Sequence, residues 1–567
     1  MKLLFRSYLA SLRERNELDA ILPDLLSELG YTVYSRPQRG TAQAGVDIAA
    51  VGLDDDGTRK VFLFSVKQGD LTRQSWNDGT VQGLRPSLDE ILDNYIPHRI
   101  PKRYQKLKIV ICLVFGGDMH EQVRSAVNGY MDRHSTKKIS FDEWNGDKLA
   151  GLLLQGILRE KIMPKEIRSN FQKSVAMVDE PDVAFRHFVR LVRDLTRLAV
   201  NDRTRVRVAR QLYIAAWVLF VWARDIDNLE SPYLASELVL LHIWNLVRPH
   251  IGKKSNTDKA IVAVLNYAIQ LHLIVASALL ERKILPHVGT RDSISMAVQT
   301  RASADVNMKL FDILGRIALT ALWVHWLAQR DPDASRRVAA QRRAAELCTQ
   351  GFQFIENNRA LFLPLRDEQA IDVAMFLFLV GAVNGNKHDA RAWLEEMTQR
   401  LALAVRTHGR YPCVFSSYRD LVAHPRERTD KYRKEATSGS ILIPIIAAFL
   451  SALNSADALT ALLELKSEDL EHCTLQVWLP DKSSEDGIYI GSHDHGVALV
   501  DVPLSKTGKE LLARISDACS ETEGFMQLSA ISTDFWPIVL TACRHYRLPI
   551  PPQMWIGLVS EPPAPAT

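Results

Sequence analysis

The sequence predicts a multidomain protein with an α/β segment at the N-terminus, a large all-α segment in the middle and a small α+β segment at the C-terminus. Three observations support this fold class. Residues 1–165 alternate helix and strand signals, residues 180–465 are almost wholly helical in pattern, and residues 466–567 return to mixed structure. A chain of 567 residues is also several times longer than one typical domain, so more than one core is expected.

The N-terminal segment predicts a mixed sheet flanked by helices. A helical pattern over 18–29 ends at Gly30, a residue that suits a helix C-terminus. Three β-rich runs follow, YTVYSRP, GVDIAAVG and VFLFSVKQ, and the Asp56-Gly57 pair between the last two is a strong hairpin signal. The run KLKIVICLVFGG is apolar almost throughout, as expected for a strand covered on both faces. A helix near 119–133, a strand at KKISFDEW and a helix at NGDKLAGLLLQGIL complete the predicted α/β layout.

The middle segment consists of helical runs that are apolar on most faces. Such helices are either inner members of a large bundle or membrane spans. A span needs roughly 20 residues, and we expect only 260–280 to reach that length. That run carries Asn266, Gln270 and His272, so the pattern favours a buried helical core over membrane contact.

Composition limits the functional classes. The net charge of +4 and pI near 8.6 are too small for this size to indicate nucleic-acid binding by bulk charge, so any such site must be local. The six cysteines contain no CxxC pair, which argues against a zinc ribbon or a disulfide framework and suits a reducing cytoplasm. The N-terminus has charges throughout its apolar pattern and is not typical of a signal peptide. We therefore expect a cytoplasmic protein with membrane attachment as the less favoured alternative.

Two charged residues interrupt the apolar hairpin. Side chains alternate across a strand, so a turn near Asp56 places Asp47 opposite Ser65 and diagonal to Lys67. One face then carries a carboxylate, a hydroxyl and an ammonium. Mg²⁺ is held by one or two carboxylates together with carbonyls, water and substrate phosphate, and a nearby lysine can position the attacking water. This combination suits hydrolysis of a phosphodiester.

These residues resemble a known family. A helix containing Glu17, then GVDI, then SVKQ, followed by KIVICLVFGG and ISFDEWNGDKLAGLLL, is similar to the PD-(D/E)XK restriction-endonuclease-like superfamily, especially its Mrr-like and Holliday-junction-resolvase-like branches. The resemblance covers about residues 10–160. It implies that Asp47 is the metal-binding aspartate, that Lys67 is the catalytic lysine with Gln68 beside it, and that Glu17 supports the metal site. It further implies a nuclease that uses Mg²⁺, or Mn²⁺, to cut DNA, with RNA as the open alternative.

The sequence departs from the family pattern at one position. Ser65 stands where the family usually has Glu or Asp, and a hydroxyl is a neutral and weaker ligand. Metal affinity should therefore fall unless Glu17, Gln68 or the backbone carbonyl of Val66 compensates. Two interpretations stay open: an active nuclease with a relaxed metal site, and a catalytically inactive nuclease fold that only binds nucleic acid or acts as a scaffold.

The remaining segments are expected to regulate the N-terminal one. Mrr-like nucleases joined to large additional regions resemble restriction or anti-phage defence effectors, which implies a sensing role for the helical and C-terminal segments. Cutting both strands of a duplex with one site per chain favours a homodimer, and other defence proteins are alternative partners. His493 and His495 in GSHDHG are interpreted as part of a polar loop, because a third zinc ligand is missing nearby.

Overall fold

A computed structural model describes residues 9, 18–35, 44–54, 56–77, 83–156, 165–298, 300, 302–500 and 502–559. The protein is mixed α/β with 65% helix, an N-terminal five-stranded mixed sheet and a large helical region, as the sequence predicts at this coarse level. The chain divides into two compact units. The first unit is Met1–Ala235 with Lys254–Val264, and the second is Ser236–Lys253 with Leu265–Thr567.

The five strands of the first unit form one sheet in chain order. They are β1 (Thr32–Ser35), β2 (Ile48–Leu53), β3 (Arg59–Lys67), β4 (Ile109–Phe115) and β5 (Ile139–Trp144). The pairs β1–β2 and β2–β3 are antiparallel, while β3–β4 and β4–β5 are parallel. All seven residues of β4 are buried, which confirms the prediction of a strand covered on both faces.

The predicted hairpin joins β2 and β3. Its register runs from Leu53 opposite Arg59 to Ile48 opposite Phe64. Gly57 has a φ of +73°, a conformation that glycine adopts at little cost, and its N–H donates to the Asp54 carbonyl at 2.8 Å. The Asp56-Gly57 turn signal is therefore confirmed.

Side chains on both faces of the sheet are buried. On one face Val61, Leu63 and Leu113 join a core cluster with residues of the helix Leu84–Glu90 and the helix Glu121–His134. On the other face the Phe64 ring lies edge-on to Trp144 with 5.0 Å between ring centroids. Alternation along β3 therefore assigns odd-numbered residues to the first face and even-numbered residues to the second.

The helices of the first unit lie before, between and after the strands in the chain. They are Asp19–Glu28, Arg73–Trp76, Leu84–Glu90, Ile96–His98, Glu121–His134, Gly146–Gly156, Lys165–Ala176, Pro181–Thr196 and Asp202–Asp225, with a π-helical turn at Ile91–Tyr95 and a 3₁₀ turn at Lys102–Tyr104. The unit boundary falls within the next two helices, Glu230–Val247 and Asn256–Leu279.

The second unit is mainly helical. Its further helices are Ser293–Ala297, Ser303–Arg330, Ala334–Asn357, Ala370–Ala382, Lys387–Arg406, Tyr418–Ala423, Asp430–Ala436, Leu442–Ala452, Ala456–Glu468, Ser484–Gly487, Lys509–Glu521, Gly524–Gln527, Ser529–Ser532, Pro537–Tyr546 and Pro552–Val559. Shorter 3₁₀ or π-helical turns occupy Arg248–His250, Leu280–Ile284, Leu285–His287, Arg359–Phe362 and Asp367–Gln369. The long helix Ser303–Arg330 packs against Ala334–Asn357 and Ala370–Ala382.

Two small sheets complete the second unit. Strands β6 (Gly439–Ser440) and β7 (Thr474–Leu475) pair in parallel, and β8 (Val477–Leu479) pairs antiparallel with β9 (Val497–Leu499). Residues 466–567 thus belong to the same compact unit as the helices before them. The finer boundaries at 165, 180 and 465 remain predictions from the sequence.

Among the described residues, three helices are long and apolar enough to cross a membrane. They are Asp202–Asp225, Asn256–His287 and Ser303–Arg330. The expectation that only 260–280 reaches this length was wrong. In Asp202–Asp225 and Ser303–Arg330 the polar residues that flank the apolar run are also helical, so these helices are long enough as well. Within the most apolar window, 89% of the first helix, 50% of the second and 78% of the third is buried inside the protein, so protein packing already covers most of the first and third helices.

Candidate active site

A tight approach of the backbone positions the start of β2. Gly45 has a φ of +75°, and a Cβ on this residue would lie 2.0 Å from the carbonyl oxygen of Ser87. Only glycine fits here, so the segment before β2 lies directly against the helix Leu84–Glu90. Two residues later, the Asp47 N–H donates to the Phe64 carbonyl at 2.9 Å. This bond extends the hairpin pairing one residue beyond Ile48.

The carboxylate of Asp47 is held by the neighbouring strand. Its Oδ2 atom accepts a hydrogen bond from the Val66 N–H at 2.7 Å. A charged acceptor makes such a bond stronger than a neutral one. The paired register of β2 and β3 ends at Ile48 opposite Phe64. The two hydrogen bonds of Asp47 fix its backbone and its carboxylate at this end of the hairpin. The position of Asp47 opposite Ser65 stays a prediction.

The structure shows a contact at Val66 that the sequence did not predict, because the Val66 amide donates to the Asp47 carboxylate. The expectation that the Val66 carbonyl binds the metal stays a prediction. The Val66 side chain is buried. The amide contact has no signature in the sequence because it depends on the hairpin register.

Ser65 and Lys67 lie two residues apart on β3. Ser65 is 1% exposed, and its Oγ atom is buried without a hydrogen-bond partner. Lys67 is half-buried, ends β3 and pairs with Phe115 of β4. Alternation from Leu63, a member of the core cluster, puts both residues on the first face of the sheet. The buried Ser65 hydroxyl and the Lys67 side chain therefore share one face of β3 near its last residue.

Two predicted site residues remain, Gln68 and Glu17. Gln68 directly follows β3 and is exposed. Glu17 lies outside the described residues. Its predicted supporting role stays a prediction.

Sequence reasoning missed a second polar group at the same edge of the sheet. The parallel strands β3 and β4 end together, and their loops are joined because Asp70 Oδ1 accepts from the Asp118 N–H at 2.8 Å. The other carboxylate oxygen of Asp70 lies 3.3 Å from His120 Nε2. A Cβ at Gly117 would lie 2.0 Å from Asp70 Oδ1, so this glycine permits the contact. The sequence does contain polar residues just beyond the ends of two predicted strands, and this pattern could have indicated the second polar group.

A metal-ligand cluster of the usual composition is not present in the part of the chain that the structure describes. No three His, Cys, Asp or Glu side chains come together there. His495 is buried with Nδ1 at 3.1 Å from Ser484 Oγ, which agrees with its interpretation as a loop residue. At the hairpin, the described oxygen donors are the Asp47 carboxylate and the orphaned Ser65 hydroxyl. This donor set fits a weakly held Mg²⁺ whose remaining ligands are water and substrate oxygens.

A buried ionic network in the second unit was also missed. Arg544 donates from Nε to Glu237 Oε1 at 2.6 Å and from Nη1 to Asp312 Oδ1 at 2.7 Å, and His545 Nδ1 lies 3.0 Å from Glu237 Oε2. Burial raises the pKa of the Glu237 carboxyl, but Arg544 and His545 outweigh burial and bring that pKa to about 2. The partners are about 300 positions apart in the chain, so local patterns give no signal.

No family model, curated protein or solved structure matches this chain. The likeness to the PD-(D/E)XK superfamily therefore remains a resemblance carried by the residues themselves.

Proposed function

We propose that the N-terminal segment is a PD-(D/E)XK-type nuclease that hydrolyses phosphodiester bonds in DNA. The observation that supports this most directly is the hairpin geometry around Asp47 and Lys67. Asp47 directly precedes β2 and Lys67 ends β3, so both lie at the same end of the hairpin, where the Asp47 carboxylate accepts from the Val66 amide.

Each residue of the site would have its own role in the reaction. Asp47 and the Ser65 hydroxyl would hold Mg²⁺, or Mn²⁺, which when bound supplies positive charge and lowers the pKa of coordinated water. Lys67 would orient the attacking water through its ammonium group. The water oxygen would form a bond to phosphorus as the bond from phosphorus to the leaving oxygen breaks. The attacking water would release a proton to solvent, the leaving oxygen would take up a proton from solvent, and Lys67 would offset the negative charge that develops on the phosphate oxygens. Gln68, exposed beside Lys67, would contact the phosphate or its neighbour.

The weak set of metal ligands determines how cleavage should depend on the metal concentration. One carboxylate and one enclosed neutral hydroxyl bind Mg²⁺ less strongly than two carboxylates. We therefore expect cleavage to require more Mg²⁺ than a site with Glu or Asp at position 65. DNA phosphates near the site would supply part of the coordination shell, so metal and substrate should bind cooperatively.

A cleavage assay with matched variants tests the proposal. Supercoiled DNA, linear DNA, single-stranded DNA and RNA are incubated with the full chain in Mg²⁺, Mn²⁺ or EDTA. Lys67→Ala should abolish metal-dependent cleavage. The control is Lys60→Ala on the same strand, because Lys60 pairs with Asp54 and Asp56 at the hairpin turn. If both variants cut like the wild type, Lys67 is not catalytic.

A second candidate is a nuclease fold that binds nucleic acid without cutting it. Ser65 favours this alternative because its hydroxyl is neutral and enclosed. The two candidates differ in the response to Ser65→Glu. If this variant cuts DNA in Mg²⁺ and the wild type does not, the wild type belongs to the non-cleaving class. Cleavage by the wild type excludes that class.

The biological setting is part of the proposal. We propose a cytoplasmic restriction or anti-phage defence effector, acting as a homodimer or with other defence proteins, in which the helical region regulates the nuclease. Extensive burial of the helices Asp202–Asp225 and Ser303–Arg330 supports a location away from membranes. Sedimentation after detergent-free lysis tests this point, since a membrane-associated effector would pellet with the membrane fraction.

A further inference from the structure

Positive charge is concentrated where the strands β3, β4 and β5 of the first unit begin. Between positions 94 and 117 the sequence contains five lysines and arginines and no aspartate or glutamate. The whole chain has an excess of only four such cations, so the rest of the chain has no net positive charge. All five side chains are exposed, and they are Arg99, Lys102, Arg103, Lys106 and Lys108.

The segment that carries these cations is held in place by buried side chains. Ile100 and Tyr104 are 4% and 7% exposed, and the Tyr104 ring lies against Tyr34 with 5.4 Å between ring centroids. The Arg103 guanidinium lies 4.6 Å from the centre of the Tyr104 ring. The cationic side chains therefore extend from an anchored backbone, and a partner does not have to order this segment when it binds.

Two backbone hydrogen bonds continue this surface onto the neighbouring strands. Lys108 directly precedes β4, and its carbonyl accepts from the Val61 N–H of β3 at 2.9 Å. Lys138 directly precedes β5, and its carbonyl accepts from the Ile109 N–H of β4 at 2.8 Å. Lys137 and Lys138 are both exposed. We name this surface, residues 99–108 with 137 and 138, the basic edge.

Carboxylates of the neighbouring elements do not cancel this charge. The hairpin turn 54–60, Asp93 and the segment 132–138 together contain five aspartates and five lysines or arginines, so the excess of five remains. At the turn, Lys60 pairs with two of these aspartates. In the part of the chain that the structure describes, no carboxylate forms an ion pair with the lysines of the basic edge, which are Lys102, Lys106, Lys108, Lys137 and Lys138.

The basic edge and the candidate active site lie at opposite ends of β3. The register pairs Val61 with Ile109 at one end and Lys67 with Phe115 at the other. Six residue steps of about 3.3 Å separate the two ends, which gives roughly 20 Å. The basic edge is therefore a second cationic surface that the proposed chemistry does not use.

The chemistry of the basic edge fits a chain of phosphates. Double-stranded DNA carries one negative charge per about 1.7 Å of its axis, so one duplex can contact several of these cations at once. Surfaces that bind membranes commonly add exposed apolar side chains to the basic ones. No large hydrophobic residue within the described segments 99–108 and 137–138 is exposed, which favours a nucleic acid over a membrane.

We propose that the basic edge binds the phosphate backbone of double-stranded DNA as a second contact outside the catalytic site. The choice of DNA among polyanions rests on the proposed function. The lysines contact phosphates rather than base edges, so binding does not depend on sequence and weakens steeply with salt. This contact holds the protein on its substrate and takes no part in the chemistry.

Fluorescence anisotropy with a labelled DNA duplex of mixed sequence tests the proposal, using the full-length chain in EDTA so that no cleavage occurs. The variant combines Lys102→Gln, Lys106→Gln and Lys108→Gln and is called the lysine variant. It should bind at least about tenfold more weakly, and the slope of log affinity against log salt should fall by about three, one for each cation removed. These side chains are exposed, so the melting temperature should not change. Lys106→Gln alone should lower the slope by about one.

A matched control removes the same charge from another surface of the first unit. It combines Arg186→Gln, Arg190→Gln and Arg193→Gln, at exposed positions of the helix Pro181–Thr196. This control should keep the wild-type affinity and salt slope. Equal losses in the control and the lysine variant would overturn the proposal, because binding would then follow net charge. Wild-type binding by the lysine variant would also overturn it.

Binding and cleavage separate this proposal from that of the nuclease. If the lysine variant loses binding and the wild type never cuts DNA, the nuclease is refuted and the second contact stands. If the wild type cuts DNA and the lysine variant binds like the wild type, the second contact alone is refuted. In a protein that cuts, the lysine variant should raise KM and leave kcat unchanged.

Parallel titrations test the choice of partner. Duplex RNA and phosphatidylglycerol vesicles are compared with duplex DNA at equal phosphate concentration. The wild type should bind duplex DNA most tightly. Tighter binding to duplex RNA or to the vesicles, lost in the lysine variant, would overturn the proposal and assign the basic edge to that partner.

Discussion

The carboxylate of Asp47 accepts a hydrogen bond from the backbone amide of Val66 at 2.7 Å, across the open end of the β2–β3 hairpin. The carboxylate oxygen completes the pairing of a backbone amide. In the proposed nuclease its charge would also hold a metal ion, so Asp47 would have two separable functions. Substitutions that keep the first function and remove the second therefore distinguish structure from catalysis.

The first prediction compares Asp47→Asn with Asp47→Ala. Asparagine retains an oxygen that accepts from Val66, whereas alanine leaves this amide without that acceptor. Asp47→Ala should lower the free energy of unfolding by about 1–3 kcal/mol, and Asp47→Asn by less. Urea denaturation followed by circular dichroism measures both. Equal losses in the two variants would show that the hydrogen bond does not stabilise the hairpin.

The second prediction concerns Ser65. Its hydroxyl is buried without a partner, so Ser65→Ala removes a polar group that pays a desolvation penalty and should leave stability unchanged or raise it by about 1 kcal/mol. The matched control is Ser174→Ala in the same unit, because the buried Ser174 hydroxyl donates to the Phe171 carbonyl at 2.7 Å. This control should lose about 1 kcal/mol. A larger loss in Ser65→Ala than in Ser174→Ala would contradict the prediction.

The sequence predicted the hairpin and its surroundings well, for physical reasons. Glycine at position 57 marks the turn, and the apolar run at β4 requires cover on both faces. The period of two along a strand puts Ser65 and Lys67 on one face of β3. These features depend on local rules that a single sequence contains.

The features that the sequence did not predict depend on distant pairings. The contact of Asp47 with the Val66 amide requires the exact strand register, and the contact of Asp70 with the Asp118 amide requires the parallel pairing of β3 and β4. The ion pair of Arg544 with Glu237 requires the packing of helices far apart in the chain. No local pattern records such contacts.

The third prediction tests that buried ion pair. Arg544→Met leaves the fully buried Glu237 without its main counter-charge and should lower the free energy of unfolding by about 3–5 kcal/mol. Glu237→Gln combined with Arg544→Met removes both charges, so the double variant should recover part of this loss. Urea denaturation of the full chain gives both values. A double variant less stable than Arg544→Met would contradict this explanation.

The fourth prediction is a dependence of stability on pH from His272. This side chain is fully buried, with Nδ1 at 3.0 Å from Ser236 Oγ, and burial lowers its pKa to about 4. The unfolded chain takes up this proton near pH 6.5, so the unfolded state binds more protons between pH 6.5 and 4. The contribution of His272 to stability is therefore fully present above pH 6.5 and is lost as the pH falls towards 4.

Thermal denaturation between pH 4 and 8 measures this dependence. His272→Leu should lower the melting temperature at pH 8 but flatten its decline below pH 6.5. His242 has a pKa that burial lowers to about 4, and it would account for the slope that remains. His493→Leu, at an exposed position, serves as the control and should retain the wild-type slope. An unchanged slope in His272→Leu would assign the pH dependence to other groups.

The most direct test of the proposed nuclease is the rate of DNA cleavage by Asp47→Asn in Mg²⁺, compared with the wild type at equal stability. The variant keeps the hydrogen bond to Val66 and loses the charge that a metal ion requires. We predict a loss of at least about 100-fold in rate, with the urea midpoint close to that of the wild type. Cleavage by Asp47→Asn at the wild-type rate would show that the Asp47 carboxylate holds the hairpin together and takes no part in catalysis.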